Sequence, residues 1–300
     1  MSKQKTLAAS VACSGIGVHS GRAINLTIKP APPNHGIKFV RTDLRDAPCV
    51  PALFKMVTDT SLATVLGKDG VIVSTIEHLM AAFAGMGIDN AVIEIDGYEL
   101  PIMDGSAFPF VEMINQAGVV EQPLQRCFFI IKEPIELAAE DKFVAIYPDS
   151  AFRVACTISY DNPLIGEQTC DITINQATFA KEISRARTFG FYHEYQMLKQ
   201  HGLARGGSLD NTLVIDGETL LNPEGLRYDD EFVRHKILDC IGDFSLLGMP
   251  VRGRVVARKS GHLFNHQLLQ KIFQNKQCWE TGFLNDQADG HETRLKSLAF

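Results

Sequence analysis

His235 and Asp239 lie four residues apart in a stretch, Asp229 to Leu247, whose apolar residues Val233, Ile237, Cys240, Ile241, Phe244 and Leu247 recur at helical spacing. An imidazole and a carboxylate at i and i+4 share one helix face and can close on a single metal ion. A second stripe, His235, Asp239, Gly242, Asp243 and Leu246, runs beside the apolar one, and its glycine leaves open space next to the pair. Taken alone, His235 and Asp239 read first as a surface ion pair contributing roughly 0.2–0.5 kcal/mol. His78 opens the otherwise apolar run Leu79 to Ala84 and is preceded by Glu77. Ser74-x-x-Glu77 fits a capping box, in which Glu77 holds a helix N-terminus and His78 is a core histidine. Combined, His78, His235 and Asp239 give two imidazoles and one carboxylate. That donor set suits Zn²⁺ and leaves a fourth position for water. Zinc lowers the pKa of such a water from about 15.7 to roughly 7, and Glu77, next to a ligand, is placed to take its proton.

His262, in Lys259-Ser260-Gly261-His262, stands at a predicted helix start. It could protonate a leaving group or help hold a tetrahedral oxyanion; a His262–His266 metal pair is the competing reading, without a local carboxylate. The ordinary zinc-peptidase helix is absent, because His193-Glu194 is followed by Met197 where a second histidine should stand. Gly206-Gly207-Ser208 lacks the rest of a phosphate-binding loop and reads as a flexible loop. Phe179, Phe189, Phe191, Tyr192 and Tyr195 make an aromatic-rich region that is either core or an acyl-chain groove.

These side chains need a scaffold of about two domains' worth of chain, and 300 residues at 45% hydrophobic content provide it. A net charge of −6 with no basic block excludes a nucleic-acid-binding surface of the usual kind. Seven scattered cysteines without a Cys-x-x-Cys pair argue for a reducing compartment and against a thiolate zinc site. The N-terminus is polar, and no apolar run reaches the roughly 18 residues that span a bilayer. A soluble, cytoplasmic, monomeric protein is the expectation.

The chain reads as β-rich from Thr6 to Phe54, then a hairpin turning at Lys68-Asp69-Gly70, a helix over 75–84, a strand over 91–95 and a helix over 106–117. Polar Glu121 to Gln125 marks the expected boundary between a domain at 1–122 and another at 126–280. The second half opens with strands over 128–131, 143–147, 154–159 and 171–174. Short helices over 176–183 and 192–200, the strand 212–215, the Asp229 helix, a strand over 251–257 and a helix over 262–274 follow. In both halves a histidine-bearing helix, a glycine-containing turn, a strand and another helix succeed one another. This order predicts an α+β fold made of two duplicated sheet-plus-helix-layer units, helices packed together and the active site at their interface. Residues 281–300 read as a polar tail.

Ser74-Thr75-Ile76-Glu77-His78-Leu79, Pro101-Ile102-Met103-Asp104-Gly105-Ser106-Ala107, Ser184-Arg185-Ala186-Arg187-Thr188-Phe189-Gly190-Phe191, Arg234-His235-Lys236-Ile237-Leu238-Asp239 and Lys259-Ser260-Gly261-His262 closely resemble the UDP-3-O-acyl-N-acetylglucosamine deacetylases. The likeness runs in order from about Gly15 to Trp279. It implies a zinc amidase that performs the committed step of lipid A synthesis on an acylated UDP-amino-sugar. It further implies Zn²⁺ on His78, His235 and Asp239, with Glu77 as general base and His262 as protonated acid. Thr188 is implied at the oxyanion, Lys236 beside the site, and Asp243 orienting His262. Phe189, Phe191, Tyr195 and Gly207, in an inserted β-α-β element near 184–216, would line an acyl passage. Lys142, Tyr160 and Lys259 match positions for the nucleotide and its phosphates. Tyr192, Tyr195 and Leu209 depart from the types common in relatives, which bears on chain-length preference. The rival from the residues alone is a non-catalytic lipid- or nucleotide-binding protein with a structural zinc closed by Cys240 or His266. A small-molecule kinase is a third reading, without a phosphate-binding loop to support it.

Overall fold

The computed structural model describes residues 2–284. The chain opens with β1 (Lys3–Leu7), β2 (Val11–Ile16), β3 (Ala23–Pro30), β4 (Ile37–Arg41) and β5 (Cys49–Pro51). Ile24, Leu26 and Ile28 all point inward from β3, as the period of two requires. A small sheet of β6 (Val57–Asp59), β7 (Val65–Lys68) and β8 (Val71–Val73) follows. Its hairpin turns at Asp69 and Gly70, both at positive φ, the backbone that two-residue hairpin turns demand. Next come α1 (Glu77–Met86), β9 (Ala91–Ile95), α2 (Phe108–Ala117) and β10 (Val119–Gln125). α1 is buried on nearly every side, which fits a helix apolar all round, and stops at Gly87 in the left-handed conformation.

Polar Glu121 to Gln125 is an ordered strand. β10 pairs with β1 near the N-terminus, and β11 follows after Arg126. Sequence reading missed this pair because β10 alternates too little apolar character to register. The second half contains β11 (Cys127–Ile131), β12 (Ile135–Ala139), β13 (Lys142–Tyr147), β14 (Phe152–Ser159) and β15 (Glu167–Thr173). A short α3 (Gln176–Thr178) runs into a π-helical turn, Phe179–Ile183. The expected inserted element is β16 (Phe189–Phe191), α4 (Tyr192–Gln200) and β17 (Leu213–Asp216), with β16 and β17 parallel and β18 (Thr219–Leu220) added at the edge. α5 (Glu231–Ser245), β19 (Val251–Arg258), α6 (His262–Gln274) and β20 (Trp279–Phe283) complete the fold. β20 places residues 281–283 in a sheet rather than in the expected polar tail; residues 285–300 of that tail lie outside the described residues. No helix among the described residues is long and apolar enough to cross a membrane.

The duplication is visible in the strand order. The first sheet runs β2-β3-β9-β4-β5 and the second contains β12-β13-β19-β14-β15. In both, the strand after the histidine-bearing helix is antiparallel on one side and parallel on the other: β9 to β3 and β4, β19 to β13 and to β14 and β11. α2 packs on β2 and α6 on β12, while α1 packs on α5 between the sheets. The α+β layering with helices together is therefore as the order of motifs implied.

Gly242 sets how closely α1 and α5 approach. A Cβ there would fall 2.2 Å from the Glu77 carbonyl oxygen, and that contact is with backbone, which cannot swing aside. Gly242→Ala should force the helices apart at a cost of about 1–3 kcal/mol. Thermal unfolding of the variant should show a lower Tm; an unchanged Tm would mean the contact relaxes freely.

Candidate active site

The α1–α5 contact brings three buried groups together. Ligand atoms of His78, His235 and Asp239 all lie within 4.8 Å of one another. His78 Nε2 and His235 Nε2 stand 3.8 and 3.4 Å from Asp239 Oδ1, and the two imidazole rings meet edge-on at 5.1 Å. Donors held about 2.0–2.2 Å from one ion in tetrahedral directions are roughly 3.3–3.6 Å apart, so the spacing suits a shared cation. His235 Nδ1 donates to the Ala186 carbonyl at 3.0 Å, which fixes the tautomer and turns the Nε2 lone pair toward Asp239. Burial, with His235 alongside, pushes His78 down to about 3, and burial lowers His235 as well. Both rings are thus neutral, the form in which an imidazole can bind a metal ion. Burial opposes ionisation of Asp239, but the positive charges of Lys236 and His262 overcome it and hold the carboxyl below its usual range. Two neutral imidazole nitrogens and an ionised carboxylate oxygen fit Zn²⁺. Among the described residues neither Cys240 nor His266 joins the cluster, so the closed structural site has no fourth ligand there.

Glu77 does not cap α1. The N-cap is Ile76 without a side-chain bond. Thr75 before it has φ 59°, costly for a β-branched residue, so the helix begins at 77 rather than 75. Glu77 instead lies buried, its Oε2 accepting the Thr64 amide at 3.1 Å and its Oε1 3.9 Å from His262 Nε2. Burial pushes Glu77 up to about 7, with His262 opposing. His262 begins α6 and donates Nδ1–H to Asp243 Oδ2 at 2.9 Å. Burial works against its charge, yet the Asp243 carboxylate and then Glu77 raise it to about 10. At neutral pH the pair therefore offers a proton acceptor and a proton donor facing each other. Asp243 also accepts from the Thr64 hydroxyl at 2.6 Å and Asn265 Nδ2 at 2.8 Å. Sequence reading missed both partners. Asn265 sits three residues after His262 on one helix face, a spacing that could have indicated it; Thr64 carried no signal.

Thr188 is held through its backbone, donating to the Gly105 carbonyl and accepting from Leu213 N–H, both at 2.8 Å. Its neighbour Arg187 is buried with Glu231: Nε and the backbone amide both donate to Glu231 Oε1, at 2.8 and 2.9 Å. This buried pair fixes the loop that carries Thr188 beside the cluster. Thr188, Glu77 and His78 line a cavity of about 450 Å³ together with Phe189, Phe191, Tyr195 and Gly207. The aromatic region is thus cavity wall, except Phe179, which is core against Gly85. Lys236 donates to Asp239 Oδ2 at 3.0 Å and lies over the Phe189 ring. The sequence-predicted Lys142, Tyr160 and Lys259 stand outside the cavity wall. Tyr160 packs its ring against Phe189 and Phe191 at 5.8 and 5.9 Å. Lys142 begins β13, and Lys259 follows β19 at φ 48°, its ammonium 2.7 Å from exposed Asp141.

A buried two-histidine, one-carboxylate cluster flanked by a carboxylate and an imidazolium is the arrangement of a metal-dependent hydrolase, here on an α+β scaffold. Residues 4–274 match the family model for UDP-3-O-acyl N-acetylglycosamine deacetylase. Relatives of the name UDP-3-O-acyl-N-acetylglucosamine deacetylase include one from Myxococcus xanthus, 53% identical over 92% of this chain and 88% of its own length. Another from Syntrophotalea carbinolica is 52% identical over 92% and 90%, and one from Saccharophagus degradans 48% identical over 99% of both chains. The chain belongs to the UDP-3-O-acyl N-acetylglycosamine deacetylase family.

Two outcomes follow from this geometry. His235→Ala or Asp239→Ala should abolish stoichiometric metal in the purified protein, while Glu77→Ala should retain it; elemental analysis separates them, and full metal in Asp239→Ala would remove it from the ligand set. The rate should rise with pH as Glu77 loses its proton near 7 and fall as His262 loses its own near 10. Replacing His262 with Gln should leave the acid limb and remove the alkaline one, and a persistent alkaline limb would assign the acid elsewhere.

Proposed function

We propose that this chain is a zinc-dependent amide hydrolase that removes the N-acetyl group from UDP-3-O-(3-hydroxyacyl)-N-acetylglucosamine, giving acetate and the free amine. Family membership supports the substrate and the place in lipid A synthesis. One observation carries the chemistry: a base and an acid face each other across 3.9 Å beside three converging donors. The scaffold on this reading is two domains, 1–122 and 126–280, with the site between them.

His78, His235 and Asp239 would hold the zinc, which when bound polarises a carbonyl oxygen and makes water acidic enough to react near neutral pH. Glu77 takes the proton from the attacking water. Thr188 presents its hydroxyl toward the oxyanion that develops on the acetyl carbon, and charged His262 stabilises the same oxygen before protonating the departing sugar nitrogen. Asp243 keeps the His262 Nδ1–H engaged so that Nε2 is the proton donor. Lys236 pairs with Asp239 and brings a positive charge to the cluster. The acyl chain lies in the cavity walled by Phe189, Phe191, Tyr195 and Gly207. Lys142 and Lys259 take the diphosphate, and Tyr160, packed on Phe189 and Phe191, contacts the nucleotide. The Lys259–Asp141 pair is exposed and therefore weak enough to exchange for phosphate.

Acetate release from the acylated UDP-sugar by the zinc-loaded protein tests the reading. Turnover should be robust in the native chain and fall roughly 10²–10⁴-fold in Glu77→Gln. Absence of acetate with the native chain would overturn the assigned reaction, and undiminished turnover in Glu77→Gln would overturn the assigned base.

A further inference from the structure

Thr64 is a buried residue just ahead of β7, 2% exposed, and it touches the base Glu77 directly and the acid His262 through Asp243. Its amide donates to Glu77 Oε2 at 3.1 Å, and its hydroxyl donates to Asp243 Oδ1 at 2.6 Å. From Asp243 the connection continues through Oδ2 to His262 Nδ1 at 2.9 Å. The 3.9 Å gap between His262 Nε2 and Glu77 Oε1 is thus spanned at the back by one continuous set of hydrogen bonds with Thr64 at its centre. We propose that Thr64 is the positioning residue that fixes base and acid relative to each other for the hydrolysis described above. The inference rests on that reading of Glu77 and His262.

The physical basis is the geometry of a buried carboxylate. Asp243 accepts three hydrogen bonds, one on Oδ1 from Thr64 and two on Oδ2 from His262 and Asn265. Without the hydroxyl, Oδ1 is left buried and unpaired, which is costly. The carboxylate then gains by rotating so that a donor now on Oδ2 is shared with Oδ1. That rotation moves the oxygen against which His262 is aligned, and Nε2 moves with the ring. The amide of Thr64 keeps Glu77 in place, so the misalignment falls between base and acid. A small displacement of a reacting group has a large effect on rate. The metal donors are not among Thr64's partners, so metal binding has no reason to change.

Threonine can be replaced in two ways that separate this role from packing. Thr64→Val keeps the volume and removes the hydroxyl; Thr64→Ser keeps the hydroxyl and removes a methyl group. The positioning role predicts that Thr64→Val lowers kcat roughly tenfold or more with little change in KM or zinc content, and that Thr64→Ser stays near the native kcat. A packing role predicts the reverse order, because valine fills the site better than serine. In an Asp243→Ala background, Thr64→Val should have little further effect, since the connection it supports is already cut. Native-like kcat in Thr64→Val, a larger loss in Thr64→Ser, or full additivity with Asp243→Ala would each overturn the proposal. The native chain is assayed in parallel for acetate release: failure there refutes the assigned reaction, whereas native turnover with an indifferent Thr64→Val refutes only the role of Thr64.

Discussion

The contact of α1 with α5 is the constraint on which the site depends. His235 and Asp239 come as a pair from one helix, but His78 and Glu77 belong to another, 157 and more positions earlier in the chain. They meet only because a glycine at 242 lets the Glu77 backbone approach to within a distance that any Cβ would forbid. Close packing of two helices in the middle of a layered fold thus replaces the local motif by which zinc peptidases gather their ligands. On the proposed ligand set, the affinity for a metal would be coupled to the packing of α1 on α5. An ion bridging His78 to His235 and Asp239 stabilises the interface it sits in, and anything that separates the helices weakens the ion's site.

Burial then divides the labour among like groups. His78, His235 and His262 are all imidazoles within one small region. Desolvation dominates at the first two and leaves them neutral, fit to be ligands. At His262 the Asp243 carboxylate outweighs desolvation and leaves it charged, fit to be an acid. The carboxylates divide in the same manner. Asp239, beside the Lys236 ammonium and within reach of charged His262, stays ionised, while Glu77, enclosed and near other carboxylates, is shifted toward neutrality. Separate environments a few ångströms apart thereby suit imidazoles and carboxylates to the different roles of ligand, base and acid that the proposed reaction needs.

Much of this was legible in the chain. The periodicity of α5 revealed the His235–Asp239 stripe, and the repeated order of elements revealed that a second histidine-bearing helix should face it. The ends of α4 and α6 matched the expected residues. What failed did so for physical reasons. Ser74 and Glu77 have capping-box spacing, but positive φ at Thr75 takes Ser74 off the helix axis and frees Glu77 for Thr64. β10 escaped notice because a strand paired at an edge needs little apolar alternation. Asn265 was passed over although it shares a helix face with His262, and Thr64 was invisible because its importance lies in contacts across the fold, which local sequence does not encode.

The central claim is that one metal ion binds between the two halves on His78, His235 and Asp239. Anomalous diffraction at the zinc edge from crystals of the zinc-loaded protein tests it most directly. A single strong peak about 2.0–2.2 Å from His78 Nε2, His235 Nε2 and an Asp239 oxygen is the predicted result. A peak coordinated by Cys240 or His266, or no peak among the three donors in fully loaded protein, would contradict the account.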